Sequence, residues 1–303
     1  MKPVFSVPLL FLSLLAAGAV AGAADPALMA KERQRAELYA QRSDEARAKP
    51  PRALNEREKQ AQALVDQAGK ILAAAETEAE HDRAFTLYRE ACAVAPDYDP
   101  AWSGLGNAYL IRGLRLSENE TASAVRQLEL FAQGKSACTR AQELDPQSPA
   151  ANCCLANLLF AEGGVKGIWA SAWVLPEVFK LTDRVAEVDP YYDDGAVFRT
   201  FGVVFVTVPL WISKSFGYDP EQMLPYLDQS IAREPNRFVN YTVRAQVKEK
   251  IEQPVAALQD LDYILAHDPA SPADFELENR TQQREARRRW KELTGKDYPE
   301  RNP

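Results

Sequence analysis

The stretch that decides the fold is Ala84–Gly113, "AFTLYREACAVAPDYDPAWSGLGNAYLIRG". Ala84, Tyr88 and Ala91 recur at helical spacing, so they share one face of a first helix. That helix has to end before Pro96, because proline has no N–H to donate and its ring clashes with the preceding turn. A second helix follows, with Trp102, Leu105, Gly106 and Tyr109 spaced W-x-x-L-G-x-x-Y. The small residues let two helices approach closely, and the large ones fill the gap between them.

These residues resemble the tetratricopeptide repeat, a helix–turn–helix unit of about 34 residues. The helix-ending element recurs at "VAPDYDP", "ELDPQSP", "EVDPYYD", "REPNRF" and "AHDPASP", that is at Pro96, Pro146, Pro190, Pro235 and Pro269. The last interval is one full repeat (269 − 235 = 34), and the longer earlier ones imply insertions. The expected fold is therefore all-α: a tetratricopeptide-repeat-like helical solenoid of antiparallel helix pairs over residues 54–296, with insertions. Ala273–Leu293 reads as a C-terminal capping helix and 297–303 as a tail. The run Arg287-Arg288-Arg289 reads as a solvated face of that helix.

Of 303 residues, 46% are hydrophobic, enough for a sizeable core. Only 14 are glycine, which favours helix over strand. A formal charge of −7 argues against nucleic acid as a partner, which would want a basic face. The opening "MKPVFSVPLLFLSLLAAGAVAGAADP" has the order of a secretory signal: Lys2, an apolar core, then Ala21-Gly22-Ala23. Residues 1–24 are read as a signal peptide cleaved on export, with an uncleaved membrane anchor as the competing reading. Residues 25–53, rich in Ala, Glu, Arg, Lys and Gln and broken at Pro50-Pro51, read as a charged helix or tether.

Four cysteines are too few to build a disulfide scaffold. Cys138 lies eight residues before Pro146 and Cys154 eight after it (146 − 138 = 154 − 146 = 8), so an antiparallel pair sets them at one height. A link from Cys138 to Cys153 or Cys154 and a set of buried free thiols both remain open. The sequons at Asn119, Asn240 and Asn279 would matter only in a eukaryotic secretory pathway.

Nothing in the sequence assembles an active site, a cofactor site or a metal site. "GKS" at Gly134–Ser136 lacks the phosphate-loop glycine, since Glu129 stands in its place. His81 and His267 read as surface residues near helix ends, and Asp193-Asp194 as acids at a helix start. The expectation is a protein without enzymatic activity.

Val197–Ile212 is the exception to this polar chain, with Arg199 its only charge. As a helix it puts Phe198, Phe201, Phe205 and Val208 along one stripe and valines on the other faces, so it has to be buried. Two readings follow. It is a central solenoid helix in which Arg199 pairs with Asp193 or Asp194, or it is the wall of a ligand cavity. In the second reading Arg199 anchors a carboxylate among Phe201, Phe205, Trp211, Trp169 and Trp173.

The run Asp189, Pro190, Asp194, Gly195, Arg199 and Gly202 fits D-P-x-x-x-D-G-x-x-x-R-x-x-G, and Pro209, Ser215, Phe216 and Gly217 fit a Pro-rich loop ending in S-F-G. With the surrounding Ala84–Val247, this resembles the T-component family associated with tripartite ATP-independent periplasmic (TRAP) transporters. The resemblance implies a periplasmic accessory protein that binds the solute-binding protein of a TRAP uptake system and an apolar or carboxylated ligand in a central cavity. The alternative is a generic repeat scaffold for envelope proteins with no small-molecule ligand. A homo-oligomer stays open in both readings.

Overall fold

The structure, a computed structural model, describes residues 25–116, 121–210, 214, 219–272 and 275–299. The signal-peptide reading of 1–24 lies outside the described residues, as do Asn119, Trp211, Ser215, Phe216, Gly217 and Ala273. The described chain is helical throughout. In order come α1 (Pro26–Ala48), α2 (Glu56–Ala74), α3 (Glu78–Val94), α4 (Asp99–Leu114), α5 (Thr121–Leu144) and α6 (Pro149–Lys166). They are followed by α7 (Ile168–Val188), α8 (Ala196–Thr207), α9 (Leu224–Arg233), α10 (Phe238–Lys250), α11 (Pro254–Ala266) and α12 (Glu276–Thr294).

The five prolines build one turn five times. The residue before each proline accepts, through its carbonyl, the N–H of the residue two after it. The pairs are Tyr98 to Ala95, Ser148 to Asp145, Tyr192 to Asp189, Arg237 to Glu234 and Ser271 to Asp268. Proline at the second position of a β-turn is pre-set for that geometry, so each recurrence stops one helix and redirects the chain into the next. Six residues on, two first-turn side chains bond back to the same turn. Trp102 donates to the Pro96 carbonyl at 2.9 Å and Asn152 to that of Pro146 at 3.0 Å. Helix starts are capped locally: Asn55 with Glu58 and Thr77 with Glu80 form capping boxes, and Ser148 caps α6.

The chain divides into two compact units where one solenoid domain over 54–296 is expected. One unit spans Arg42–Tyr192. In it α2 with α3, α4 with α5 and α6 with α7 form antiparallel pairs, and α4 also packs on α2 and α6. Its core runs from Ala61, Ala68 and Leu72 through Phe85, Tyr88 and Leu105 to Leu130. It continues with Phe131, Cys138, Cys154 and Leu158. Cys138 and Cys154 are joined in a disulfide between α5 and α6, with Cα atoms 6.1 Å apart, whereas Cys92 and Cys153 are buried free thiols. Gly106 of the W-x-x-L-G-x-x-Y run lies against both bonded sulfurs, where a Cβ would clash.

The other unit joins the described residues up to Gln41 to Asp193–Pro303. Here α10 packs against α8 on one side and α12 on the other, while α9 and α11 pack on α10 as the second layer. Phe238, Tyr241, Leu261, Ile264 and Ala286 are buried between them. The capping helix expected from Ala273 is α12, and its basic run is a lattice of ion pairs: Arg288 with Glu285 and Glu292, Arg289 with Glu285 and Glu249. Among the described residues no helix is long and apolar enough to cross a membrane.

Two expectations need correction. The charged segment after residue 25 is more than a tether. In α1, Met29, Glu32, Ala36 and Tyr39 are buried at spacings of three and four, and the Tyr226 hydroxyl donates to Glu32 at 2.6 Å. His81 is no surface residue: it is 2% exposed, because it continues the buried stripe of Ala84, Phe85 and Tyr88 by one turn. The sequon residues Asn240 and Asn279 are fully buried with both ends of their amides engaged, so neither can carry a glycan.

Candidate functional site

The D-P-x-x-x-D-G-x-x-x-R-x-x-G residues each have a structural task. Pro190 makes the helix-ending turn, and the Asp189 carboxylate accepts from Ser43 and from the Tyr191 N–H. Asp193, Asp194 and Gly195 then take three consecutive left-handed conformations, with φ of 48°, 52° and 93°. Asp tolerates this region better than most side chains, and Gly does so without steric cost. Gly195 caps α8, and Gly202 lies where a Cβ would meet Val243 of α10.

Arg199, one turn into α8, faces back to this corner. Its guanidinium donates to the Asp193 and Asp194 carbonyls at 2.8 and 2.9 Å, to the Asp193 carboxylate at 2.7 Å and to Asn240 Oδ1 at 3.1 Å. Arg237 reaches the same carboxylate at 2.7 Å, pairs with Glu278 of α12 at 3.0 and 3.2 Å, and covers the Phe275 ring. Desolvation alone would raise the Asp193 carboxyl, but Arg199 and Arg237 outweigh it and hold it below the usual range. Burial likewise opposes the Arg237 charge, and Asp193 and Glu278 outweigh it. The node ties the start of α8 to α10 and α12.

Arg199 thus meets Asp193, as in the first sequence reading. Phe201 and Phe205, 2% and 1% exposed, stack on each other with ring centres 6.1 Å apart. Trp173 lies on α7 in the other unit and is 84% exposed. Trp211 lies outside the described residues, and of Trp169 only the position in α7 is described. Arg199, Phe201 and Phe205 share α8, whereas Trp173 belongs to α7.

The layer of α8, α10 and α12 instead carries an open cleft of about 490 Å³, lined by Val203, Val206, Thr207, Gln246, Glu249, Lys250 and Arg289. Its polar residues come from the last turns of α8 and α10 and from the face of α12 beside them. Lys250 donates to the Val206 carbonyl at 3.2 Å, a cation placed on the negative end of α8. Arg289 donates to Glu249 Oε2 at 3.0 Å, while Oε1 of that carboxylate is buried without a partner. Burial raises the Glu249 carboxyl above its usual value, against the pull of Arg289. Among the described residues no cluster of His, Cys, Asp and Glu is placed to hold a metal ion. Sequence reasoning missed this cleft and Arg237. The available signal was position: Gln246, Glu249 and Lys250 recur at three and four on the polar side of α10.

The fold defined by these helix pairs is that of tetratricopeptide-repeat proteins. The crystal structure of TTC0263, a thermophilic TPR protein in Thermus thermophilus, superposes with a TM-score of 0.54 at 15% identity, covering 75% of this chain and 98% of that one. No protein-family profile matches the chain, and no curated protein does either.

Proposed function

We propose that this protein is a non-enzymatic, tetratricopeptide-repeat-like scaffold that binds another protein along the layer of α8, α10 and α12. The observation that carries the reading is the open polar cleft across that layer. A cleft lined by amide, ammonium, guanidinium and carboxylate groups suits an extended polypeptide, which offers donors and acceptors at every residue. A photo-crosslinker placed at Gln246 is expected to capture a discrete partner, identified by mass spectrometry. Equal capture at an exposed control position such as Glu90 of α3 would overturn the reading.

In its finer form the proposal places the protein in the periplasm, with the solute-binding protein of a TRAP uptake system as the partner. Two features support it: the export signal read at residues 1–24 and the D-P-x-x-x-D-G-x-x-x-R-x-x-G run. The Cys138–Cys154 disulfide also suits an oxidising compartment. The proposal includes no carboxylate ligand at Arg199, whose guanidinium already meets Asp193, Asp194 and Asn240. Co-purification with the solute-binding protein tests the partner. Intact mass of the envelope form tests export, since a chain retaining Met1 would favour an anchor.

A further inference from the structure

His81 is one of two histidines in the chain and is buried in the first turn of α3. Its Nε2 lies 2.7 Å from Nη1 of Arg115, the residue that ends α4. A guanidinium offers only donors and keeps its charge, so Nε2 is the accepting lone pair and the ring proton sits on Nδ1. Nδ1 is buried and has no partner. The same Arg115 nitrogen donates to the carbonyl of Ala75, the C-cap of α2. One guanidinium thus joins the ends of α2, α3 and α4.

Two guanidiniums and three carboxylates face the ring, and all three carboxylates already hold other partners. From α4 come Arg112 and Arg115, from α3 come Glu78, Glu80 and Asp82, and from α2 comes the Ala75 carbonyl. Glu78 and Asp82 are paired with Arg112, and Glu80 closes the capping box with Thr77. A proton added at Nε2 would replace the accepting lone pair with an N–H aimed at a cation.

We propose that His81 is a proton-operated latch: a proton taken up at Nε2 expels Arg115 and frees the α2–α3 turn from the end of α4. Burial, then the Arg115 charge, holds the imidazole below its ordinary 6.5. A folded value below the unfolded one means that the latch contributes its full stability above pH 6.5 and loses it as the pH falls below.

Two measurements on the full chain test this. In the first, the ¹⁵N-imidazole spectrum of His81 is followed with pH. His81 is expected to show the Nδ1–H tautomer at pH 7.5 and to titrate below the ordinary 6.5. An Nε2–H tautomer, or titration at or above 6.5, would overturn the proposal. In the second, amide exchange is compared at pH 7.5 and 5.0 after correction for intrinsic rates. Segments 72–84 and 110–116 are expected to lose protection at least tenfold relative to 257–264 of α11, and His81→Gln to abolish that difference. Unchanged protection in the wild type, or the same loss in His81→Gln, would equally overturn it.

Discussion

Asp193 holds Arg199 twice, through its carboxylate at 2.7 Å and through its own backbone carbonyl at 2.8 Å. The side chain therefore fixes the strained backbone of the residue it pairs with. Arg199→Met removes these bonds and leaves Asn240 Oδ1 and two carbonyls short of a donor. The expected loss is about 2–4 kcal/mol, seen as a lower thermal midpoint. Asp193→Asn is the milder change, since asparagine tolerates the left-handed region and keeps the carbonyl bonds. The pH dependence has a definite sign. The folded carboxyl lies below the ordinary 3.8, so its contribution is full above that pH and lost as acid passes below it. A mutant as stable as wild type would remove the node from the account.

The disulfide makes a countable prediction. Unfolded without reductant, the protein should alkylate at two thiols, Cys92 and Cys153, and with reductant at four. Closing a 16-residue separation constrains the unfolded chain, so reduction should cost about 3 kcal/mol. Denaturant melts of the oxidised and reduced protein measure it. Four labelled thiols in the non-reduced protein would count against the bridge.

Helix pairing was legible in the sequence because its determinants are local: the prolines that end helices, and the small-and-large alternation around Ala84 and Gly106. The height match of Cys138 and Cys154 was legible for the same reason, since it follows from counting outward from one turn. The choice between Cys153 and Cys154 was not, because adjacent helical residues point about 100° apart and only packing decides which faces α5. Arg237 escaped notice because its partners Asp193 and Glu278 are 44 and 41 residues away. The split of the chain at Gln41 and Asp193 has no compositional mark at all. The cleft depends on which last turns come to lie side by side, again a long-range fact.

Close approach of α8 and α10 predicts a size-specific defect. A Cβ on Gly202 would lie 2.4 Å from Val243 Cγ1, well inside contact distance. Gly202→Ala should therefore destabilise by about 1–3 kcal/mol, even though alanine is the better helix former. Val243→Ala leaves a small void on its own and should partly rescue the double mutant. The discriminating quantity is the coupling energy from a double-mutant cycle by denaturant melts. Strict additivity would mean that the two helices do not meet at these residues.

Asp183 supplies the opposite pH signature from Asp193. It lies on α7 with Oδ1 buried and without a partner. Burial pushes its carboxyl up to about 7, with Glu187 one turn further on adding to the effect. Here the folded value lies above the unfolded one, so the native state favours the protonated acid. Below about pH 4 both states are protonated and the group costs nothing. As the pH rises toward 7 the unfolded carboxyl is already charged while the folded one resists, and stability falls. Asp183→Asn keeps the shape and removes the charge, so it should match wild type near pH 4 and exceed it by roughly 1–3 kcal/mol at pH 8. Thermal melts across that range read the difference directly. A mutant that tracks wild type at every pH would show that Asp183 reaches solvent or a cation in the native protein.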